Sequence, residues 1–508
     1  MNTIAMMHTL TLLAVAWADS GGTPTPPSAP SPAVPSPVLH TDAKSAATPN
    51  ERDSVLPLFT LRHDIGDGVG FRNGFSYAEG FIPVWQIPGE SIIFANVRAV
   101  NYDDARYWEG QVGGGVRFLV SDSAILGLNA FYDGRNTDTR FFNQVGLGWE
   151  LLGSRWEARG NVYIPVGPQR GLVADHGFSG PQFVGTNIAL EHNRLFDSSM
   201  NGVDFEIGRS FKLSESIEPR FYVGGYHYSN ERVQTANGVR ARMETRVGEN
   251  VTAFLQIQND AVFNTTVFGG LGITFGGPRR GYRERCPLEA KLGQRVVRDP
   301  NIVIQRKLDS TRELAINPAT GLPIEIRHVA SNAAGGGDGS VERPFQTLAQ
   351  AQASSGPGQI VFAHAGSVFQ GQGLALKPNQ RFLGEGIPHL FASTQGTYLL
   401  PRATAGTALP LLTNGPGNAI RLASGTEVSG LHLNGTAGNA IFGQNVADVN
   451  VNRNRISNAV GGGIVLDNVR GQSFLLGNTI QTVSGGTLPG PFAVIPNVGA
   501  GIYVSASG

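Results

Sequence analysis

Between about Leu56 and Gly277 the chain alternates apolar residues with polar residues or glycine, in short segments separated by Gly-, Asn- and Asp-rich turns. In an extended strand successive side chains point to opposite faces, so a period of two predicts strands with one apolar face each. In LGLNAFYDG (126–134), Leu126, Leu128, Ala130 and Tyr132 share one face, and Gly127, Asn129, Phe131 and Asp133 the other. After a turn over 134–139, Val145, Leu147, Trp149 and Leu151 oppose Gln144, Gly146, Gly148 and Glu150. Next, Trp156, Ala158, Val162 and Ile164 oppose Glu157, Arg159, Asn161 and Tyr163. The pattern recurs at Ile93, Ala95, Val97 and Ala99, at Val112, Val116, Phe118 and Val120, and in two later segments, Val251 to Ile257 and Val267 to Phe275. At roughly 18 residues per strand and loop, the region holds about 12 strands, an even number suited to an up-and-down barrel.

Alternation does not say which face meets water. A soluble sandwich or lipocalin-like barrel points the apolar face inward, and a transmembrane barrel points it at lipid. Three features favour lipid. The stretch MNTIAMMHTLTLLAVAWADS has an apolar centre and ends in Ala16-Trp17-Ala18, as a secretory signal (1–18) does, although the usual early Lys or Arg is missing and a misplaced start codon gives the same picture. Strand lengths are near those of tilted membrane strands. Glycine is frequent among the polar positions, where it leaves room in a lumen and is unhelpful in a close-packed core.

Composition narrows the rest. Lys and Arg number 39, equal to Asp and Glu, which argues against a whole-chain nucleic-acid binder. Cys286 is the one cysteine, so an intrachain disulfide is excluded. With 68 Gly, 30 Pro and only 15% charged residues, a turn-rich all-β protein fits better than a helical one. Residues 19–55 include a Pro/Ser/Ala linker that cannot build a core. Beyond the leader, no stretch reaches the ~20 apolar residues of a membrane helix.

Downstream of a polar connector (278–325) the texture changes again. NAIRL, NAIFG and GGIVL begin at 418, 439 and 462, and Leu433, Ile456 and Ile480 form a second series at similar spacing. Repeats of this length, each too small to stand alone, fit coils that bury their apolar side on the next. No polar cap follows before Gly508, so the stack is expected to continue in a longer protein.

An enzyme built on such coils needs a carboxylate pair, or several acidic ligands with a base. From 328 onward the acids are Asp338, Glu342, Glu385, Glu427, Asp448 and Asp467. Glu427, Asp448 and Asp467 sit near coil spacing, with Arg421, Arg453 and Arg455 as possible neighbours, but ordinary turn and solvent-face positions explain them better. His364 and His432 lack metal-ligand spacing and read as surface or packing residues. GGGDGS reads as a turn, without the repeated Asp of a calcium repeat. No catalytic, cofactor-binding or metal-binding residue is assigned.

Two resemblances add to this reading. HDIGDGVGFRNGFSYAEGFIPVWQ (63–86) and FYDGRNTDTRFFNQVGLGWELLGSRWEARGNVYIPVG (131–167) resemble the barrel domain of inverse autotransporters, the intimin and invasin class. VVRDPNIVIQRK (296–307) is similar to the segment that follows that barrel, with Asp299-Pro300-Asn301 replacing part of an asparagine run. The resemblance implies an outer-membrane barrel whose connector returns through the lumen. The polar faces carrying Glu150, Glu157, Arg159 and Gln256, and the connector's Arg279, Arg280, Arg283, Glu284 and Arg285, suit such a path, although without the resemblance a solvated interdomain linker is the better reading of those residues. The stretch 329–366 resembles the opening of right-handed parallel β-helices of the pectin-lyase-like class, with a short Ala/Gln helix over the first coil and an early strand at 359–363.

The expectation is an all-β protein: a signal at 1–18, a linker at 19–55, an antiparallel transmembrane barrel of about 12 strands at 56–277, a connector at 278–325 and a right-handed parallel β-helix at 326–508. It would anchor in the cell outer membrane, with outer-membrane lipid and the barrel-assembly machinery as partners. It would display its passenger at the cell surface to an unknown receptor or extracellular polysaccharide, with neither nucleic acid nor cofactor. The alternatives are a surface-anchored polysaccharide lyase or hydrolase, and a diffusion porin. Leu126, Leu128, Val145, Leu147 and Trp149 should face lipid, and Asn129, Asp133, Gln144 and Glu150 the lumen. A charge at 147 should then be harmful and one at 144 tolerated.

Overall fold

A computed structural model describes residues 54–103, 107–138, 140–214, 217–484 and 501–506. The expected signal and nearly all of the Pro-rich linker lie outside the described residues. The first part of the chain folds as β1 (Leu58–Gly66), β2 (Gly74–Ile87), β3 (Ser91–Tyr102), β4 (Trp108–Ser121), β5 (Ala124–Asn136), β6 (Phe141–Gly153) and β7 (Trp156–Val166). It continues with β8 (Arg170–Val184), β9 (Asn187–Ser199), β10 (Asn201–Ser210), β11 (Ile217–Ser229), β12 (Ala236–Val247), β13 (Val251–Asp260) and β14 (Asn264–Gly276). Twelve of these close into an antiparallel barrel, with β1 pairing both β2 and β14. The connections Ile87 to Ser91, Ser121 to Ala124 and Gly153 to Trp156 are tight turns at one end, and longer loops lie at the other.

The two faces of the wall are sharply different. Leu128, Leu147 and Trp149 are 50%, 48% and 46% exposed, whereas Asp133, Gln144 and Glu150 are 0%, 2% and 2%. Ile93, Val97, Val112, Val251, Leu255, Leu271 and Phe275 also point outward. This is a soluble core turned inside out, and it rules out the lipocalin-like alternative, which would bury those side chains. Trp85 and Trp156 near the tight-turn end, with Trp108 and Phe141 near the long-loop end, are exposed as in the aromatic girdles of membrane barrels.

One expectation needs correcting. Residues 56–277 are not all barrel, because β7 pairs directly with β10 and leaves β8 and β9 outside the wall. β8 follows an irregular path: its register with β9 shifts three times, and Gly177 and Gly180 adopt φ of +72° and +56° just before Pro181. The β8–β9 hairpin forms a separate three-stranded sheet with β15 (Ile304–Leu314), the last part of the connector to leave the barrel.

From Ile326 the strands are short and, apart from the antiparallel hairpin Leu390–Ser393/Gly396–Leu399, the pairing is parallel. The chain visits three sheets in rotation, and each circuit adds one strand to each. Both repeat series stack as expected: Ile420 on Ile441 on Ile464, and Leu433 on Ile456 on Ile480. Val428 on Val451 on Leu475 makes the third row. These rows form one apolar core, and the helix Leu348–Ser354, held by a Thr347/Gln350 capping box, seals its first circuit with Leu348 and Ala351. The early strand is Ile360–Ala363.

Leu147→Glu should be destabilising, by less than the about 2–4 kcal/mol that a Lys or Arg costs at the bilayer midplane. Barrel assembly, read as heat-modifiable gel mobility, should fall for this variant and hold for Leu147→Met. A charge at 144 is no longer the expected harmless control, because Gln144 Nε2 donates to Asp133 at 3.1 Å and a glutamate there would meet a like charge.

Candidate functional site

The site is the barrel lumen, and it is occupied by the protein's own chain. After β14 the connector forms the helix α1 (Arg280–Arg285) and a 3-10 turn (Glu289–Gly293), then runs extended along the lumen. Its contacts climb the wall in sequence order. Lys291 Nζ donates to Gly153 O at 2.7 Å near the tight turns and to Glu157 Oε1 at 2.8 Å. Arg117 donates to Leu292 O at 2.9 Å, and Arg295 meets Glu244 at 3.0 Å. Arg298 grips Asp133 through two bonds of 2.6 and 2.5 Å. Asp299 pairs with Arg240 at 2.6 Å, and its amide donates to Tyr163 Oη at 2.8 Å. Gln111 then donates to Pro300 O at 2.8 Å, and Asn301 to Val69 O at 3.0 Å. Finally the Ile302 amide donates to Glu109, while Arg135 donates to Ile302 O at 2.7 Å.

Charge sign is matched throughout. The cations Lys291, Arg295 and Arg298 meet the wall carboxylates Glu157, Glu244 and Asp133, and the anion Asp299 meets the wall cation Arg240. The wall balances itself in the same way, with Arg159 among Glu150, Glu157 and Glu206, and Arg98 on Glu79. Space is matched as well: a Cβ on Gly146 would lie 2.5 Å from Arg298 Nη2, so this lumenal glycine is the room the arginine needs. The pockets left beside the connector are about 160 Å³ and 50 Å³, small against an open pore.

The expected lumenal residues are partly the right ones. Glu157 holds the connector directly and Glu150 through Arg117, whereas Gln256 bonds to Gln258 on the wall. Arg280, Arg283, Glu284 and Arg285 lie in α1, with Arg279 just before it, and Lys291, Arg295 and Arg298 bond to the wall further along. For Arg298 and Asp299 the signal lay in VVRDPN, where these adjacent charges stand between two valines and a proline.

The acids of the parallel region do not converge. Glu427 pairs with Arg381 at 2.7 Å, Asp448 caps Gln472 N at 2.8 Å in a turn, and Asp467 accepts from Gln444 and Ser505 on another sheet. Glu385 is buried and clamps Thr404 and the Ala365 amide, Glu342 accepts from Gly185 N, and Asp338 holds the GGGDGS turn through Ser340 N. Arg421 and Arg455 stand on different sheets, and Arg453 lies in a turn. Among the described residues no three His, Cys, Asp or Glu side chains come together as a metal site. His432 bonds to Ser457, and His364 is a packing residue at 3.0 Å from the fully buried His328.

The comparisons with known proteins bear on the barrel. Residues 43–176 match the family model for the inverse autotransporter, beta-domain. Together with the closed wall, this match supports an outer-membrane β-barrel, similar over that stretch to the inverse autotransporter beta-domain. No curated protein matches the chain. Solved structures similar to it include Omp33 of Acinetobacter baumannii, at 9% identity and TM-score 0.27, covering 44% of this chain and 100% of that one. Outer membrane phospholipase A from Escherichia coli aligns at 10% identity and TM-score 0.27, covering 43% and 90%. The translocator domain of the autotransporter NalP from Neisseria meningitidis aligns at 9% and 0.24, covering 44% and 87%. These scores are too low to carry an argument, and the assignment rests on the wall and the family match.

Arg298→Gln should leave Asp133 buried without its countercharge, with the Gln144 amide still donating to it, at a cost of up to about 3–5 kcal/mol. The urea midpoint in detergent should drop and single-channel conductance rise, with part of the stability returning in the Arg298→Gln/Asp133→Asn double variant. A second expectation concerns the parallel region. Burial, and then the nearby His364, push the His328 imidazole down to about 3. A depressed histidine contributes stability that is present above its unfolded value and lost as pH falls toward the folded one. Unfolding of this region should therefore become easier from pH 6.5 downward, and His328→Gln should flatten that dependence.

Proposed function

We propose that this protein is an outer-membrane anchor and export conduit that displays a right-handed parallel β-helical passenger at the cell surface for adhesion or surface interaction. One observation carries the reading: the connector runs through the lumen from the tight-turn end to the long-loop end, paired charge by charge, and continues through β15 into the parallel strands beyond. Tight turns mark the periplasmic end of outer-membrane barrels and longer loops the extracellular end. The connector's direction is therefore that of export.

The division that follows is a leader at 1–18, a linker at 19–55, a barrel at 56–277 with its hairpin excursion, a connector at 278–325 and a passenger from 326. Three parallel sheets filled in rotation support the β-helical reading, and the near-universal hand of parallel crossovers supports right-handedness. Lipid and the barrel-assembly machinery are the partners the barrel needs. The surface receptor or extracellular polysaccharide is a partner for the passenger. Nothing in the acid distribution favours the polysaccharide-active alternative, and the filled lumen disfavours a diffusion porin.

An epitope inserted in the turn at 414–417 tests the proposal. It should be labelled on intact cells, and the protein should fractionate with outer membranes and show heat-modifiable mobility. Labelling only after lysis, or recovery as a soluble monomer, would sink it.

A further inference from the structure

The β8–β9 hairpin is encoded within the barrel yet serves none of the barrel's pairing. Its contacts are with the chain that has just left the lumen. β15 adds to the free edge of β9 in unbroken antiparallel register, from Ile304 opposite Ser199 to Leu314 opposite Ala189. The residue that would emerge first pairs nearest the wall, and the last pairs nearest the hairpin tip. The other edge of β9 is taken by β8.

The tip then engages the beginning of the parallel region. Ile188 O accepts from Ala315 N at 2.8 Å, Thr186 O from Ile326 N at 2.8 Å, and Gly185 O from Val341 N at 2.9 Å. Ile188 and Leu190 are fully buried, in one cluster with Ile324, Ile326, Ile360 and Phe362. Phe183 packs edge-on against His328 at 4.5 Å and lies 5.4 Å from Phe362. Charged contacts fix the register along the strands: Arg306 bonds Asp197 at 2.8 Å, and His192 sits between Asp175 and Glu313 at 2.9 Å each.

We infer that the β8–β9 hairpin is an intramolecular folding template, on which the emerging connector zips as a strand and whose apolar tip covers the outer face of the first strands of the parallel stack, opposite the face that builds the stack's core. This rests on the export reading above. A single circuit of a repeat stack cannot bury its own core, and parallel pairing requires costly loop closure before any contact rewards it. An exposed strand edge, by contrast, is a ready template for main-chain pairing. The hairpin supplies that edge, a fixed register and an apolar surface for Ile326, Ile360, Phe362 and Leu383, so the first strands meet a preformed neighbour. The covered tip explains why two fully buried aliphatic residues stand on an excursion from a membrane barrel.

The test uses the full chain in cells, with the epitope at 414–417 and the double variant Ile188→Asp/Leu190→Asp. The barrel should keep its heat-modifiable mobility and the epitope should be labelled on intact cells, while external protease degrades the passenger about ten-fold faster or more than in the unaltered chain. Unchanged protease resistance in the variant overturns the inference. Hydrogen exchange on the unaltered protein decides independently of whether the variant assembles. The amides of Ile326 and Val341 should open together with those of Ile188 and Leu190, and opening of the hairpin beneath a still-protected first circuit also overturns it. An epitope that stays inside the unaltered chain's cell defeats the export reading instead, and leaves the exchange result to judge the template.

Discussion

A barrel that faces lipid on the outside must satisfy every polar group on the inside, and this wall carries many. Asp133, Glu79, Glu109, Glu150, Arg117 and Arg159 are all at or below 5% exposure. Such charges are costly to bury singly and tolerable only when paired and hydrogen-bonded. The wall pairs some of them with each other, and the connector completes the set. Asp133 in particular meets Arg298, a residue about 165 positions later in the chain.

From that requirement several features follow. The connector's carbonyls and amides find partners on the wall, as an extended segment in a water-poor lumen must. Its charges are placed opposite wall charges of the other sign, so the path and the register of the threaded segment are set together. Gly146 is small because Arg298 passes beside it. The same segment fills the lumen and ties the barrel to the parallel strands that follow it.

Much of the barrel was legible in the sequence. Parity assigned Leu147 and Trp149 to one face and Asp133, Gln144 and Glu150 to the other, because the period of two is a local property of extended chain. Twelve wall strands were expected and twelve are found, although the region contains fourteen and the hairpin β8–β9 leaves the count. The stacking of Ile420, Ile441 and Ile464 was likewise visible as spacing. The lumenal grip was legible only in part: the Arg-rich run at 279–285 drew attention by charge density, whereas the wall bonds of the single residues Lys291, Arg295 and Arg298 had no comparable signal. Nor do Glu427, Asp448 and Asp467 share a face, because similar spacing places them in a strand, a turn and a strand of another sheet.

The sequence by itself determined what is local or periodic: strands with two unlike faces, an all-β architecture, and stacked repeats with Leu, Ile and Val inside. Tertiary structure alone decided which face meets lipid, which wall charge meets which connector charge, and that residues 170–199 leave the barrel to meet the emerging chain. Those choices depend on closure of the sheet and on contacts between residues more than a hundred positions apart. Spacing along a chain records neighbours in sequence, while the pairing of a buried charge is settled by the partner that the closed wall brings within hydrogen-bonding distance.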